Sequence, residues 1–176
     1  MPDILTHYLV SYLVASRVVR RRYAVFIALA GLLPDLDVLT GIHRWVTHSL
    51  VPLFVIASAV ALALFYVHRS YLKYLALISL LYVLHIVLDF MAGPTPMLWP
   101  LSNQAYMLRI ELNGEVSAGG VSLMPQVALI AEPADFTPRP MIKGSLISSM
   151  SVLMAVVVVV VTVVEVLKER LSFGRQ

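Results

Sequence analysis

The sequence predicts an all-α fold: a multispan transmembrane helical bundle of four to five membrane segments with a small extramembrane insert. Three observations carry this. Of 176 residues, 60% are hydrophobic and only 13% charged, where soluble domains hold about one quarter charged residues. Mean hydropathy is +0.87. Several apolar runs approach the roughly 20 residues that a helix needs to cross hydrocarbon. The length suits one domain, residues 1–176. There is no cysteine, which excludes disulfides and thiolate metal sites. The net charge of +3 comes largely from arginines beside apolar runs, a pattern of membrane topology with no nucleic-acid partner implied.

The segments follow in order. Ile4 to Ser16 is apolar but short for a full crossing. The start, MPDILTHYL, lacks the basic region of a signal peptide, so no leader removal is expected. Arg17, Arg20, Arg21 and Arg22 form the densest positive cluster. Tyr23 to Leu39 is apolar until PDLD, and Gly31 and Pro34 allow the helix to bend or stop. Polar Thr40 to Ser49 follows. Leu50 to Val67 is an uncharged transmembrane candidate closed by His68, Arg69 and Lys73. Leu75 to Met91 is the next, with His85 and Asp89 in its last turns. AGPTPMLWP then breaks the helix.

The insert, residues 101–143, lies between the last two membrane segments. Tyr106 to Leu112 alternates loosely before Asn113-Gly114, which allows a small hairpin. Val121 to Ile130 reads as a strand or as a short helix on the membrane. Pro133, Pro138 and Pro140 end the insert. Ser145 to Val166 is the last span: its valines favour strands in water, but its length and lack of turn signals favour a helix in lipid. There is no repeat, Gly-rich phosphate loop or heptad run.

Letting each run cross once divides the cations. Arg17, Arg20, Arg21, Arg22, Arg69, Lys73, Lys168, Arg170 and Arg175 fall on one side; Arg44, Arg109, Arg139 and Lys143 fall on the other. The positive-inside rule puts the first side in the cytoplasm. His7, Asp35, Asp37, His43, His48, His85 and Asp89 then share the opposite, extracytoplasmic face with the insert, although none entered the count. His68 falls at the other face.

These seven are metal-ligand types that are costly to bury unpaired. His85 and Asp89, four apart, share one helix face. Asp35 and Asp37 would diverge on a regular helix, and a non-helical turn after Pro34 would let both point inward. Four histidines and three aspartates exceed the needs of one zinc, so two divalent ions sharing a carboxylate fit better. Zinc is favoured; manganese or iron also suit the ligand set. Plainer readings stand beside this: hydrogen-bonded helix-end histidines, a His85/Asp89 packing contact, and Asp35 and Asp37 as caps. Arg44 either pairs with an aspartate or meets an anionic substrate. Trp99 reads as an interfacial anchor.

Thr6-His7, Pro34-Asp35-Leu36-Asp37, His43-Arg44 with Thr47-His48-Ser49, His85-x3-Asp89 and Trp99-Pro100 together resemble the YdjM-like family. That family is described as LexA-binding, inner-membrane-associated metal-dependent hydrolases. The resemblance runs from about Thr6 to Pro100. It implies a membrane-embedded metal-dependent hydrolase-like domain whose metal candidates are His7, Asp35, Asp37, His43, His48, His85 and Asp89. The family is distantly similar to zinc-dependent phospholipase C-type enzymes, which implies a phosphoester or lipid head group as substrate. On this reading Asp35, Asp37 or Asp89 is the general base, Arg44 binds phosphate or developing charge, and membrane lipid is the partner. The rivals are a transporter or metal-handling protein, and a non-catalytic interaction protein with a structural site. LexA is cytoplasmic, and the charge count puts the site on the other side.

Overall fold

Asp3 begins the first helix. One of its oxygens accepts from the Thr6 amide at 2.7 Å, an N-cap that starts α1, Ile4–Val18. The other accepts from the Ser151 hydroxyl at 2.6 Å. At the far end Arg17 meets Glu165 at 2.6 Å. The same interval along each helix separates these two ties, so α1 and the last helix run parallel for about 20 Å. This is a computed structural model of the chain, and it describes residues 3–117, 120–141 and 144–173. Lys143 and Arg175 of the charge count lie outside the described residues, as does the side chain of Arg170.

After Val19, α2 (Arg21–Ile27) passes into a 3-10 helix, Ala28–Thr40, of 13 residues. Runs this long are uncommon because 3-10 hydrogen bonds are poorly aligned. Gly41, at φ 76°, closes the stretch in the left-handed region. A short 3-10 turn, Val46–His48, leads to α3, Leu50–Val67. Among the described residues, four stretches are long and apolar enough to cross a membrane: Arg21–Thr40, Leu50–Val67, Arg69–Ala92 and Ser149–Lys168. No residue of α3 is buried within the chain, which suits a helix facing lipid and not one facing water. The valine run forms a helix, α5 (Ser149–Phe173).

α4, Leu72–Ala92, divides the molecule by function. Four of its five buried residues, Leu77, Leu81, His85 and Asp89, recur every four positions and lie on one stripe, with Ile86 beside it. The first half of the stripe is apolar: Leu77 and Leu81 pack with Ala15 and Ala24 as the core. The second half is ionisable.

The all-α expectation is wrong for the insert. β1 (Gln104–Ser117) pairs antiparallel with β2 (Gly120–Pro133) along their whole length. The cause is the period of two, which a helix cannot satisfy. It puts the pairs Leu108–Leu129, Ile110–Val127 and Leu112–Pro125 on one face, and Arg109–Ala128 and Glu111–Gln126 on the other. Pro125 would break a helix but is tolerated in a strand with a free edge. Asn113-Gly114 is not the turn: these residues sit inside β1 opposite Met124 and Leu123, and the pairing closes at Ser117 opposite Gly120. Reciprocal bonds of 2.9 Å between Thr95 and Tyr106 fasten the hairpin beside the end of α4.

Gly31 sets how closely α1 approaches the 3-10 helix. A Cβ there would stand 1.9 Å from the Ser11 hydroxyl oxygen and 2.8 Å from its Cβ. Gly31→Ala is therefore expected to lower thermal stability by about 1–3 kcal/mol, the usual cost of overpacking. Adding Ser11→Gly should recover part of the loss in the same thermal melt. Gly114→Ala, whose Cβ would meet Leu123 at an ordinary 3.5 Å, should be nearly neutral.

Candidate metal centre

Four pieces of chain converge at the end of the bundle nearest the hairpin. α1 supplies His7, the 3-10 helix Asp35 and Asp37, the connection His43, Arg44 and His48, and the last turns of α4 His85 and Asp89. All seven metal candidates join one cluster of contacts. His7, Asp37, His48, His85 and Asp89 are buried; the side chains of Asp35 and His43 keep 21% and 23% of their exposure and form the open edge.

The two central imidazoles are held by their outer nitrogens. His85 Nδ1 lies 2.7 Å from the Gly31 carbonyl, which can only accept, so Nδ1 carries the proton. That carbonyl is available because of Pro34. In a 3-10 helix the residue 34 amide would bond to the residue 31 carbonyl, and proline has no amide hydrogen. His48 Nδ1 lies 2.8 Å from Asp37 Oδ2 and donates to it. Both Nε2 atoms then turn inward, 3.3 Å apart. His48 Nε2 is 3.3 Å from Asp89 Oδ2 and 3.7 Å from Asp35 Oδ1, and His85 Nε2 is 3.5 Å from the same Asp35 oxygen. Lone pairs and carboxylate oxygens therefore face one another. Such an arrangement needs a cation between them, either a proton or a metal ion. Burial disfavours a charged His48, but the carboxylates of Asp37 and Asp89 outweigh it and raise its pKa above the ordinary value. A carboxylate or backbone carbonyl that pins the outer nitrogen of a histidine is the usual outer shell of a metal site.

Asp35 and Asp37 act on opposite sides of one ring. The expected non-helical turn is not how they reach inward. Three residues per turn place side chains two apart about 120° from each other, so Asp37 reaches His48 Nδ1 while Asp35 reaches its Nε2 side. Asp37 also accepts from the Trp45 amide at 2.9 Å and lies 3.4 Å from His43 Nδ1. Asp37 therefore orients the His48 ring from outside, and Asp35 lies on its inner side.

The ligand atoms form two triads, each lying within 4.8 Å: His7, His85 and Asp89, and Asp35, His43 and His48. Each can hold one ion, and Asp35 and Asp89 reach across both. His7 Nε2 stands 3.4 Å from Asp89 Oδ1, and its ring stacks on His85 at 3.8 Å. Arg44 is buried and committed: Nε donates to Asp89 Oδ2 at 2.9 Å and Nη1 to the Pro94 carbonyl at 3.0 Å. Its Nη2 is buried without a hydrogen-bond partner among the described residues. Of the two sequence readings of Arg44, the geometry is that of the aspartate pair. His68 is absent from the cluster; it caps α3 at the other end, beside Tyr71.

Several supporting residues escaped the sequence reading. Gly93 makes room for Arg44, since a Cβ there would meet Nη1 at 2.6 Å. Ser49 starts α3 and donates to the Met97 and Trp99 carbonyls, tying His48 to the segment after α4. The Tyr82 hydroxyl donates to the Thr47 carbonyl. For Gly31 a signal existed in its three-residue spacing from Pro34. For Gly93 and Tyr82 there was none, because their partners are remote in sequence.

No curated protein and no solved structure matches this chain. A family model does, and its match continues through the hairpin and α5, beyond the Thr6 to Pro100 resemblance. The chain belongs to the family described as YdjM inner membrane protein, whose model matches residues 1–170.

Proposed function

We propose that this inner membrane protein is a metal-dependent hydrolase with a two-ion centre at the membrane surface, acting on a phosphoester such as a lipid head group. The observation that carries the reading is the pair of inward Nε2 atoms, whose outer nitrogens are tied to Asp37 and Gly31 and whose inner sides are ringed by Asp35 and Asp89. Zinc suits the imidazoles best, with manganese or iron as alternatives. Bound there, divalent metal supplies Lewis-acid polarisation and an acidified water.

The chain's own groups divide the remaining work. Asp35 is the most accessible of the three carboxylates and has no hydrogen-bonded donor anchoring it among the described residues. It is the one best placed to take a proton from an attacking water. Arg44 orients Asp89 and balances its charge. Substrate approaches from the open edge at Asp35 and His43. A transport path would need further ligands along the bundle, but the α4 stripe continues from His85 to Leu81 and Leu77. The charge bias supports a centre facing away from the cytoplasm.

Elemental analysis of the purified protein should find about two transition-metal ions per chain, and chelation should abolish phosphodiester hydrolysis. Asp89→Ala and His85→Ala should lose metal and turnover together. Asp37→Asn, which loosens His48, should weaken metal binding by about 10–100-fold. His68→Ala should change neither. A folded protein that neither carries nor takes up zinc, manganese or iron would refute the hydrolase reading.

Orientation is tested separately. In intact cells a cysteine at exposed Ser122 should react with an impermeant maleimide, and one at Ser70 should not. The reverse pattern would place the centre in the cytoplasm.

A further inference from the structure

At the end of the bundle opposite the metal centre, a cavity of about 530 Å³ opens between the α1–α2 junction and the start of α4. Arg20 and Lys73 line it, with Tyr23, Phe26, Tyr74 and Leu77. No acidic residue does among the described residues. Neither Arg20 nor Lys73 has a carboxylate partner among the described residues, in contrast to Arg17 and Arg21, which share Glu165 at 2.6 and 3.3 Å. Arg20 also borders a second, adjoining concavity that holds that Arg17–Glu165–Arg21 cluster and Lys168. Arg20 and Lys73 thus give the first cavity two cations and no carboxylate counter-charge among the described residues.

We propose that this cavity binds an anionic phospholipid, with its phosphate between Arg20 and Lys73 and its chains along Tyr23, Phe26 and Leu77. Charge complementarity selects the head group: two unpaired cations on the rim call for an anion. The walls select a lipid over a free anion. Phe26 is 71% exposed and Tyr23 49% exposed, on a stretch long and apolar enough to cross the bilayer. Lys73 lies over the Tyr74 ring at 5.0 Å, and Arg22 over Tyr23 at 4.7 Å, an arrangement suited to the interface between head groups and chains. Lys73 precedes His85 by more than three helical turns, about 18 Å along α4. The lipid bound here is therefore not the molecule at the metal centre, and the proposal stands independently of hydrolysis.

The test uses the full-length protein in neutral detergent, supplemented with phosphatidylglycerol or phosphatidylcholine. Native mass spectrometry counts retained lipid, and a thermal melt reads stabilisation. The wild type should retain phosphatidylglycerol with about tenfold preference and melt higher in its presence. Arg20→Gln and Lys73→Gln should each reduce the preference, and the pair should bring it near parity. Both side chains are exposed and pair with no carboxylate among the described residues, so their loss should leave the helical circular dichroism unchanged. Arg109→Gln, on the hairpin, should keep the wild-type preference. Equal retention of the two lipids by the wild type would overturn the proposal, as would a preference that survives the double substitution. Equal stabilisation by inorganic phosphate would show a simple anion site and would also overturn it.

Discussion

Burying imidazoles and carboxylates together at the end of a membrane bundle is costly unless a cation lies among them. In this protein the inward nitrogens of His48 and His85 stand 3.3 Å apart, with carboxylate oxygens around them. Local departures from ordinary helix at this end serve that arrangement. Pro34 releases the Gly31 carbonyl that orients His85. The missing side chain of Gly31 admits Ser11 and with it α1, which brings His7 onto His85. Gly93 admits Arg44, which holds Asp89. The thirteen-residue 3-10 helix sets Asp35 and Asp37 on two sides of one ring. Each feature would be a defect in a helix built only to span a membrane.

The bundle separates two kinds of chemistry along one helix. The buried stripe of α4 begins as leucine packed on alanine and ends as histidine and aspartate. Apolar packing holds the helices in register, and the ionisable end uses that register to bring together histidines and aspartates from elements remote in sequence. α1 takes part despite its 15 residues, because Asp3 and Arg17 tie it to α5 at both ends. The hairpin is rooted beside the ligand-bearing end, through Thr95 and Tyr106.

What could be read from the residues followed from local rules. His85 and Asp89 share a face by helical spacing alone, and the cation count put the polar residues at one end without using them. The contacts among these histidines and aspartates were not legible. Whether Asp37 touches an ion or a histidine depends on a 3-10 geometry that no local propensity announces, and Arg44 finds Asp89 only through the tertiary fold. The hairpin was visible in the alternation of Leu108, Ile110 and Leu112, yet Asn113-Gly114 suggested a reversal before the true one. A strong turn dipeptide lost to the longer pairing that continues through it.

The central claim is that the inner nitrogens of His48 and His85 share a metal centre with Asp35 and Asp89. X-ray absorption spectroscopy of the zinc-loaded protein addresses it most directly. The account predicts nitrogen and oxygen ligands at about 2.0–2.1 Å, imidazole outer-shell scattering, and a metal–metal vector near 3.5–4 Å. Replacing His48 and His85 together by alanine should weaken the imidazole pattern, leaving at most the contribution of His7 and His43. A zinc spectrum without imidazole, or one unchanged by that double substitution, would contradict it.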